Sequence, residues 1–237
     1  MDRISEQIKQ LDWENIGDGL HNKGYGLISN LLADAEVESL KKLYDKPDGY
    51  RKTVVMERYR FGLGEYKYFD YPLPEIIQTL RTELYPHLAP IANLWMGALK
   101  MDTRFPNVHQ QLLEDCWQNH QTKPTPLILK YGEGGFNTLH QDLYGEVYFP
   151  MQAVLFLSEP TVDYTGGEFV LTRQIPRAQS KAIVLQPKKG DVLLFTTNFR
   201  PAQGKNGYYR VSMKHGVSEL HWGERYTLGI IFHDAIS

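Results

Sequence analysis

Two periodicities divide the chain, and the change falls near Pro126. Before it, apolar residues recur at helical spacing. In LADAEVESLKKLYD, Ala33, Val37, Leu40 and Tyr44 fall at steps of four, three and four with Leu43 beside them, which predicts one amphipathic helix that Asp34 could cap. The short apolar run Tyr25-Gly26-Leu27-Ile28 suits a strand. From Pro74, the residues Ile76, Ile77, Leu80 and Leu84 form a second stripe, and Pro86 and Pro90 are expected to interrupt it before Ile91, Leu94 and Trp95 resume. Val108, Leu112, Leu113, Cys116 and Trp117 mark a third helix. After Pro126 come short β-rich runs separated by Gly, Pro and Asn: PLILKY, TLHQDLYG, MQAVLFLSE, GGEFVLT, AIVL, DVLLFTT, YYRVSMKHGVSEL and RYTLGIIFH. Eight such runs suit a double-sheet jelly roll. The expected organisation is one domain, mainly β with N-terminal helices: helical support and substrate cap over 1–125, jelly-roll catalytic core over 126–237.

Composition narrows the class. With 237 residues and 42% hydrophobic content there is material for a sizeable core and no sign of disorder. The single cysteine, Cys116, excludes an internal disulfide and fits a reducing compartment. The N-terminal MDRISEQIKQLDWENIG carries charges throughout and lacks an apolar run, so a cytoplasmic protein without membrane contact is expected. Twenty-six basic residues against 28 acidic ones leave no global electrostatic footprint for nucleic acid, so any such binding must rest on a local patch.

The chemistry concentrates at His140-Gln141-Asp142. In a strand, residues i and i+2 project from one face, so His140 and Asp142 could reach one metal ion, with His215 as a third ligand from a distant strand. Two histidines and one carboxylate leave open positions, the arrangement that suits non-haem Fe(II). Structural zinc prefers several thiolates and is disfavoured, whereas a catalytic His2Asp zinc stays open. The remaining histidines, His21, His87, His109, His120, His221 and His233, lack comparable pairing and are read as structural or solvated. Arg225 follows His215 by ten residues, across an expected turn at His221-Trp222-Gly223-Glu224 that would fold it back beside the metal-bearing strand. A guanidinium inside a barrel needs an anion, either a carboxylate-bearing ligand or an internal partner such as Asp191 or Glu168.

On these residues the chain resembles the Fe(II)- and 2-oxoglutarate-dependent dioxygenase superfamily. The pattern is His140, Asp142, His215 and, about ten positions on, Arg225, with YGEGGFNTLHQD, GGEFVL and KKGDVLLF as supporting phrases across roughly residues 126 to 233. Including RYRFGLGEYKYFDYPLPEII and the ending GIIFHDA, it resembles a mostly bacterial group of such oxygenases labelled as acting on damaged nucleic acid. The resemblance implies Fe(II) on His140, Asp142 and His215, with 2-oxoglutarate as co-substrate and O2 as oxidant. Arg225 would hold the distal carboxylate of 2-oxoglutarate, aided by Thr227 and Tyr131, and decarboxylation to succinate would accompany hydroxylation.

Three functions stay open. One is hydroxylation of a C–H bond on a small molecule or protein side chain, as in the prolyl hydroxylase branch. Another is oxidative demethylation of alkylated nucleic-acid bases. In RKTVVMERYRFGLGEYKYFDY, Arg51, Lys52, Arg58, Arg60 and Lys67 interleave with Tyr59, Phe61, Tyr66, Tyr68, Phe69 and Tyr71, which suits phosphates and stacked bases as well as a packed cap. The third is a non-catalytic jelly-roll binding module, against which an intact ligand set argues.

Overall fold

A computed structural model describes residues 3–237. Five helices precede the jelly roll's main strands: α1 (Arg3–Lys9), α2 (Trp13–Lys23), α3 (Asp34–Leu43), α4 (Glu75–Ala98) and α5 (His109–Gln118). The strands are β1 (Tyr25–Ile28), β2 (Tyr50–Val55), β3 (Gly62–Leu63), β4 (Glu65–Phe69), β5 (Leu127–Tyr131), β6 (Phe136–His140), β7 (Met151–Phe156) and β8 (Tyr164–Gly166). Then come β9 (Phe169–Gln174), β10 (Lys181–Leu185), β11 (Val192–Thr196), β12 (Phe199–Gly204), β13 (Gly207–Val217), β14 (Leu220–Gly223) and β15 (Arg225–Ile231).

Two sheets face each other. The major sheet runs β1-β11-β7-β15-β5-β4-β2, and the minor sheet runs β10-β9-β13-β6-β3 with β12 paired to β13. Strands β7 and β11 read as nearly continuous apolar runs because both of their faces are covered. Met151, Ala153 and Leu155, Val192 and Leu194, and Leu228 and Ile230 pack under the helices in the largest core cluster. The alternate residues Val154, Phe156, Leu193 and Phe195 meet Phe169, Leu171, Val211 and Met213 between the sheets. The period of two therefore turns Gln152, Arg225 and Thr227 towards the minor sheet.

Several local expectations need correction. Helix α4 runs unbroken through Pro86 and Pro90. Both prolines lie exposed on the face that carries Thr82, so the carbonyls of Thr82 and Pro86, which lose their N–H partners, are open to water. The opposite face buries Ile77, Leu80, Leu84, Tyr85, Leu88 and Trp95 to 1% exposure or less. Large side chains stabilise by ~1.5–3 kcal/mol each, enough to offset two prolines at ~3 kcal/mol apiece. Asp34 is the first helical residue of α3 and not its cap; Glu36 accepts the Ala33 N–H at 2.7 Å instead. The segment 51–71 supplies β2, β3 and β4, so two of its strands extend the major sheet. The expected turn at 221–224 is mostly strand β14, paired with β8.

The C-terminal residues are anchored by a buried ion pair. Arg81 of α4 donates from Nη2 to Asp234 Oδ1 at 2.7 Å and from Nε to the Ile231 carbonyl at 3.0 Å, with both charged side chains fully buried. Tyr71 accepts from Arg81 Nη1 at 2.9 Å and donates to Asp234 Oδ2 at 3.0 Å. That network holds the end of β15 against α4, and so steadies the strand that carries Arg225.

Candidate metal centre

Antiparallel pairing sets His140 of β6 directly opposite His215 of β13. Cross-strand partners share a face, and their rings stand 4.2 Å apart between centroids. Strand β6 ends at His140, so Asp142 is not on a strand as expected; it reaches the histidines from the following loop. Gln141 pins that loop by donating from Nε2 to the carbonyls of Met213 at 2.7 Å and Asn198 at 2.9 Å. Asp142 Oδ2 lies 3.2 Å from His215 Nε2 and Oδ1 lies 3.6 Å from His140 Nε2. One ligand atom from each of the three residues falls within 4.8 Å of the others, a cluster that could hold a metal ion.

The protonation states suit a cation. His140 Nδ1 contacts the Thr138 carbonyl at 2.7 Å. A carbonyl can only accept, so Nδ1 carries the proton and the Nε2 lone pair is left for a ligand. Burial, reinforced by His140, lowers the His215 pKa and favours its neutral ring. Burial alone would raise the Asp142 carboxyl, but the hydrogen bond and charge of His215, with His140 and Tyr144, hold it well below the usual carboxylate range. Neutral imidazoles and an ionised carboxylate are the forms that bind metal.

A cavity of about 240 Å³ opens from this cluster and runs between the sheets to Arg225 and Thr227. Its walls are mostly apolar and aromatic, with Leu127, Leu129, Val154, Phe169 and Phe195 among them. Arg225 is 1% exposed, and its Nε and Nη1 are buried without a hydrogen-bond partner. Its guanidinium sits 5.5–5.9 Å from the ring centroids of Tyr131, Phe156 and Tyr164. The expected internal partners are engaged elsewhere. Asp191 accepts the backbone N–H groups of Asn30 and Lys188, and Glu168 accepts the Ser218 hydroxyl. Arg225 does not arrive by a hairpin from β13, because β15 pairs with β5 and β7 in the opposite sheet.

Thr227 lies two residues along the same face, buried at 2% exposure. Tyr131 is paired in register with Arg225, and Asn137 Nδ2 donates to its hydroxyl at 3.3 Å. Burial pushes the Tyr131 phenol up to about 12 against the opposing charge of Arg225, so it keeps its proton at neutral pH. Thus all six residues singled out in the sequence line one cavity. Gly62 and Gly64, at φ 145° and 150°, let β3 and β4 approach their neighbours closely: a Cβ at Gly62 would stand 2.2 Å from the Phe136 carbonyl oxygen, and one at Gly64 2.9 Å from the Tyr131 ring.

Sequence reasoning missed three polar neighbours. Tyr144 donates to Asp142 Oδ1 at 2.7 Å, Gln152 Nε2 donates to Asp142 Oδ2 at 3.0 Å, and Tyr68 of β4 donates to the Tyr144 hydroxyl at 3.1 Å. Gln152 had a visible signal, a lone amide inside the apolar run MQAVLF. Tyr68 and Tyr144 had none, since each becomes meaningful only once the sheets meet. The basic residues of 51–71 also divide. Arg51 lies over the Tyr68 ring at 4.4 Å and donates to the Pro124 carbonyl, Lys67 donates to the Tyr44 carbonyl, and Arg58 and Arg60 are exposed.

Comparison with known proteins agrees with this geometry. A prolyl hydroxylase from Trichoplax adhaerens, solved with a peptide fragment of hypoxia inducible factor, superposes with a TM-score of 0.59 at 16% identity, covering 95% of this chain and 90% of that one. A Burkholderia pseudomallei oxidoreductase of the 2OG-Fe(II) oxygenase family gives 0.53 at 15% identity over 95% and 94% of the two chains. A Pseudomonas putida prolyl-4-hydroxylase gives 0.53 at 14% identity over 92% and 97%. These likenesses show a shared fold. An uncharacterized protein of Mycobacterium tuberculosis (strain H37Rv) is 46% identical over 167 residues, 70% of this chain and 72% of the relative. A family model described as an oxygenase catalysing oxidative methylation of damaged DNA matches residues 64–235. With the jelly roll, the clustered side chains and this match together, the chain belongs to that oxygenase family.

Proposed function

We propose that His140, Asp142 and His215 hold Fe(II) and that Arg225 binds the distal carboxylate of 2-oxoglutarate, in an enzyme that hydroxylates a C–H bond. The carrying observation is a buried arginine that keeps Nε and Nη1 without partners, Tyr164 being its hydrogen-bonding neighbour, at one end of a cavity whose other end is a two-histidine, one-carboxylate cluster. That donor set and a carboxylate-seeking cation fit a metal and a diacid together. When bound, iron and 2-oxoglutarate supply O2 activation coupled to decarboxylation to succinate.

The protein's own residues do the rest. Asp142 offers an ionised carboxylate, and the Thr138 carbonyl fixes the His140 tautomer that turns Nε2 to the metal. Arg225 supplies charge-assisted donors, Thr227 a hydroxyl on the same strand face, and Tyr131 a protonated phenol beside them. The apolar walls between the two ends exclude water and strengthen each of these contacts. Anaerobic addition of Fe(II) and 2-oxoglutarate tests the reading: a metal-to-ligand absorption band is expected in the parent and is lost in His140→Ala. No band in the parent would refute it.

For the substrate, a second reading has its own support. Phe61, which lines the cavity, is exposed and stacks on the exposed Tyr59, with centroids 5.5 Å apart and an interplanar angle of 18°, and the exposed Arg58 and Arg60 alternate with them along the chain. Stacking faces beside phosphate-binding cations suit a nucleic-acid strand, in keeping with the family description. Oxidative removal of an N-alkyl group from a base is the corresponding reaction. Binding of a fluorescent single-stranded oligonucleotide should weaken in Arg58→Ala/Arg60→Ala, and its log–log salt slope should flatten by ~0.7 per lost phosphate contact. Binding unaffected by both changes leaves the small-molecule or protein substrate.

A further inference from the structure

We infer that Tyr144 and Gln152 are positioning residues that orient the Asp142 carboxylate towards the metal, and that Tyr68 sets Tyr144 from the opposite sheet. The inference rests on the metal centre proposed above and adds residues that the ligand pattern does not contain.

Each Asp142 oxygen has a histidine in front and a donor behind. Oδ1 faces His140 and accepts from Tyr144 at 2.7 Å; Oδ2 faces His215 and accepts from Gln152 at 3.0 Å. Such an arrangement removes rotational freedom that a carboxylate on a loop would otherwise keep, because turning about its last bond would break both donor contacts. The restraint is needed here more than at the histidines. His140 and His215 are fixed by strand pairing, whereas Asp142 lies beyond the end of β6.

The two donors come from rigid places. Gln152 is 3% exposed on the central strand β7, flanked in the sheet by β11 and β15. Tyr144 follows Asp142 by two residues, and its phenol is oriented by the hydroxyl of Tyr68 on β4. Tyr68 is 7% exposed, lines the same cavity and stands edge-to-face with Tyr66 at 5.3 Å and with Tyr144 at 6.3 Å. The hydroxyl chain has one direction: Tyr68 donates to Tyr144, and Tyr144 donates to the anion. Donation at each step polarises the next hydroxyl, so the first member acts on Asp142 only through the second. A strand of the major sheet is thereby linked to Asp142 on the loop that leaves the minor sheet.

The test reads metal binding without turnover. Apo protein is titrated with Mn(II), free Mn(II) being followed by electron paramagnetic resonance, and Co(II) visible bands are recorded for each variant. Tyr144→Phe and Gln152→Leu should each weaken Mn(II) binding ~10- to 100-fold, the usual effect of removing a partner of a metal ligand, and shift the Co(II) bands. Tyr68→Phe should shift the bands in the parent and have no further effect in a Tyr144→Phe background. Tyr144→Phe keeps the ring and decides the matter should Gln152→Leu fail to fold. Mn(II) affinity within twofold of the parent with superimposable Co(II) spectra would overturn the positioning role alone. A parent that binds no Mn(II), or binds it equally after His140→Ala, would overturn the metal centre and this role with it.

Discussion

Replacing Arg225 with Met separates co-substrate binding from folding. In the protein the guanidinium is 1% exposed with Nε and Nη1 unpartnered, so a diacid that reaches it gains up to two charge-assisted hydrogen bonds. Each contributes ~1.5–3 kcal/mol, and taking the lower end for both gives ~3 kcal/mol, on the order of a hundredfold in Kd. The assay is an anaerobic calorimetric titration of 2-oxoglutarate into Mn(II)-loaded parent and variant, repeated with pyruvate, which lacks the distal carboxylate. The loss should appear for the diacid and be small for pyruvate. The ligand-free variant should be as stable as the parent or more so, because a buried unpaired charge is replaced by an apolar side chain of similar length. A diacid affinity within threefold of the parent, or an equal loss for pyruvate, would refute the assignment of Arg225 as the carboxylate anchor.

Other outcomes follow from the same structure. Asp234→Ala strands the fully buried Arg81 and should cost about 3–5 kcal/mol, lowering Tm by roughly 6–20 °C in a scanning calorimeter. Pro86→Ala, at an exposed helix position, restores an N–H for the Thr82 carbonyl and should raise Tm by a few degrees. Burial, with the charge of Arg81, depresses His109 and His233 to about 3. The unfolded chain therefore binds more protons than the folded one between about pH 3 and 6.5, and stability should fall as pH drops through that window, by ~1.4 kcal/mol per unit per histidine in urea titrations. Replacing both with Gln should flatten that slope. Asp142→Ala should abolish metal-dependent succinate release while leaving the fold intact by circular dichroism.

The sequence pointed to the candidate ligand cluster but not to what supports it. His140 and His215 were legible because a strand pattern and a distal histidine are both local signals. Asp142 joins their cluster from a loop, so the i, i+2 argument pointed to a residue that does lie beside them although β6 stops short of it. The inward face of Arg225 followed from alternation only after β7 and β15 were seen to be neighbours, a pairing of strands about 75 residues apart by the sequence numbering. The route of Arg225 was misread as a hairpin because the β13–β15 connection changes sheets through β14. Pro86 and Pro90 misled for a different reason: local propensity was set against burial on the far side of α4, and burial was larger.

The proposed ligands and the proposed anchor stand on different walls. His140 and His215 belong to the minor sheet, Asp142 to the loop that leaves it, and Arg225 to the major sheet. A metal alone would tie only one wall to itself, whereas a diacid spanning from metal to Arg225 would clasp the two like a rivet through a sandwich. At a hundred times Kd such a ligand adds about 2.7 kcal/mol of stability. Amide exchange at β5 and β15 should therefore slow when 2-oxoglutarate is added to the metal-loaded protein and stay nearly unchanged when metal is added by itself. In a cell, the folded lifetime of this oxygenase would then track the supply of a central metabolic acid.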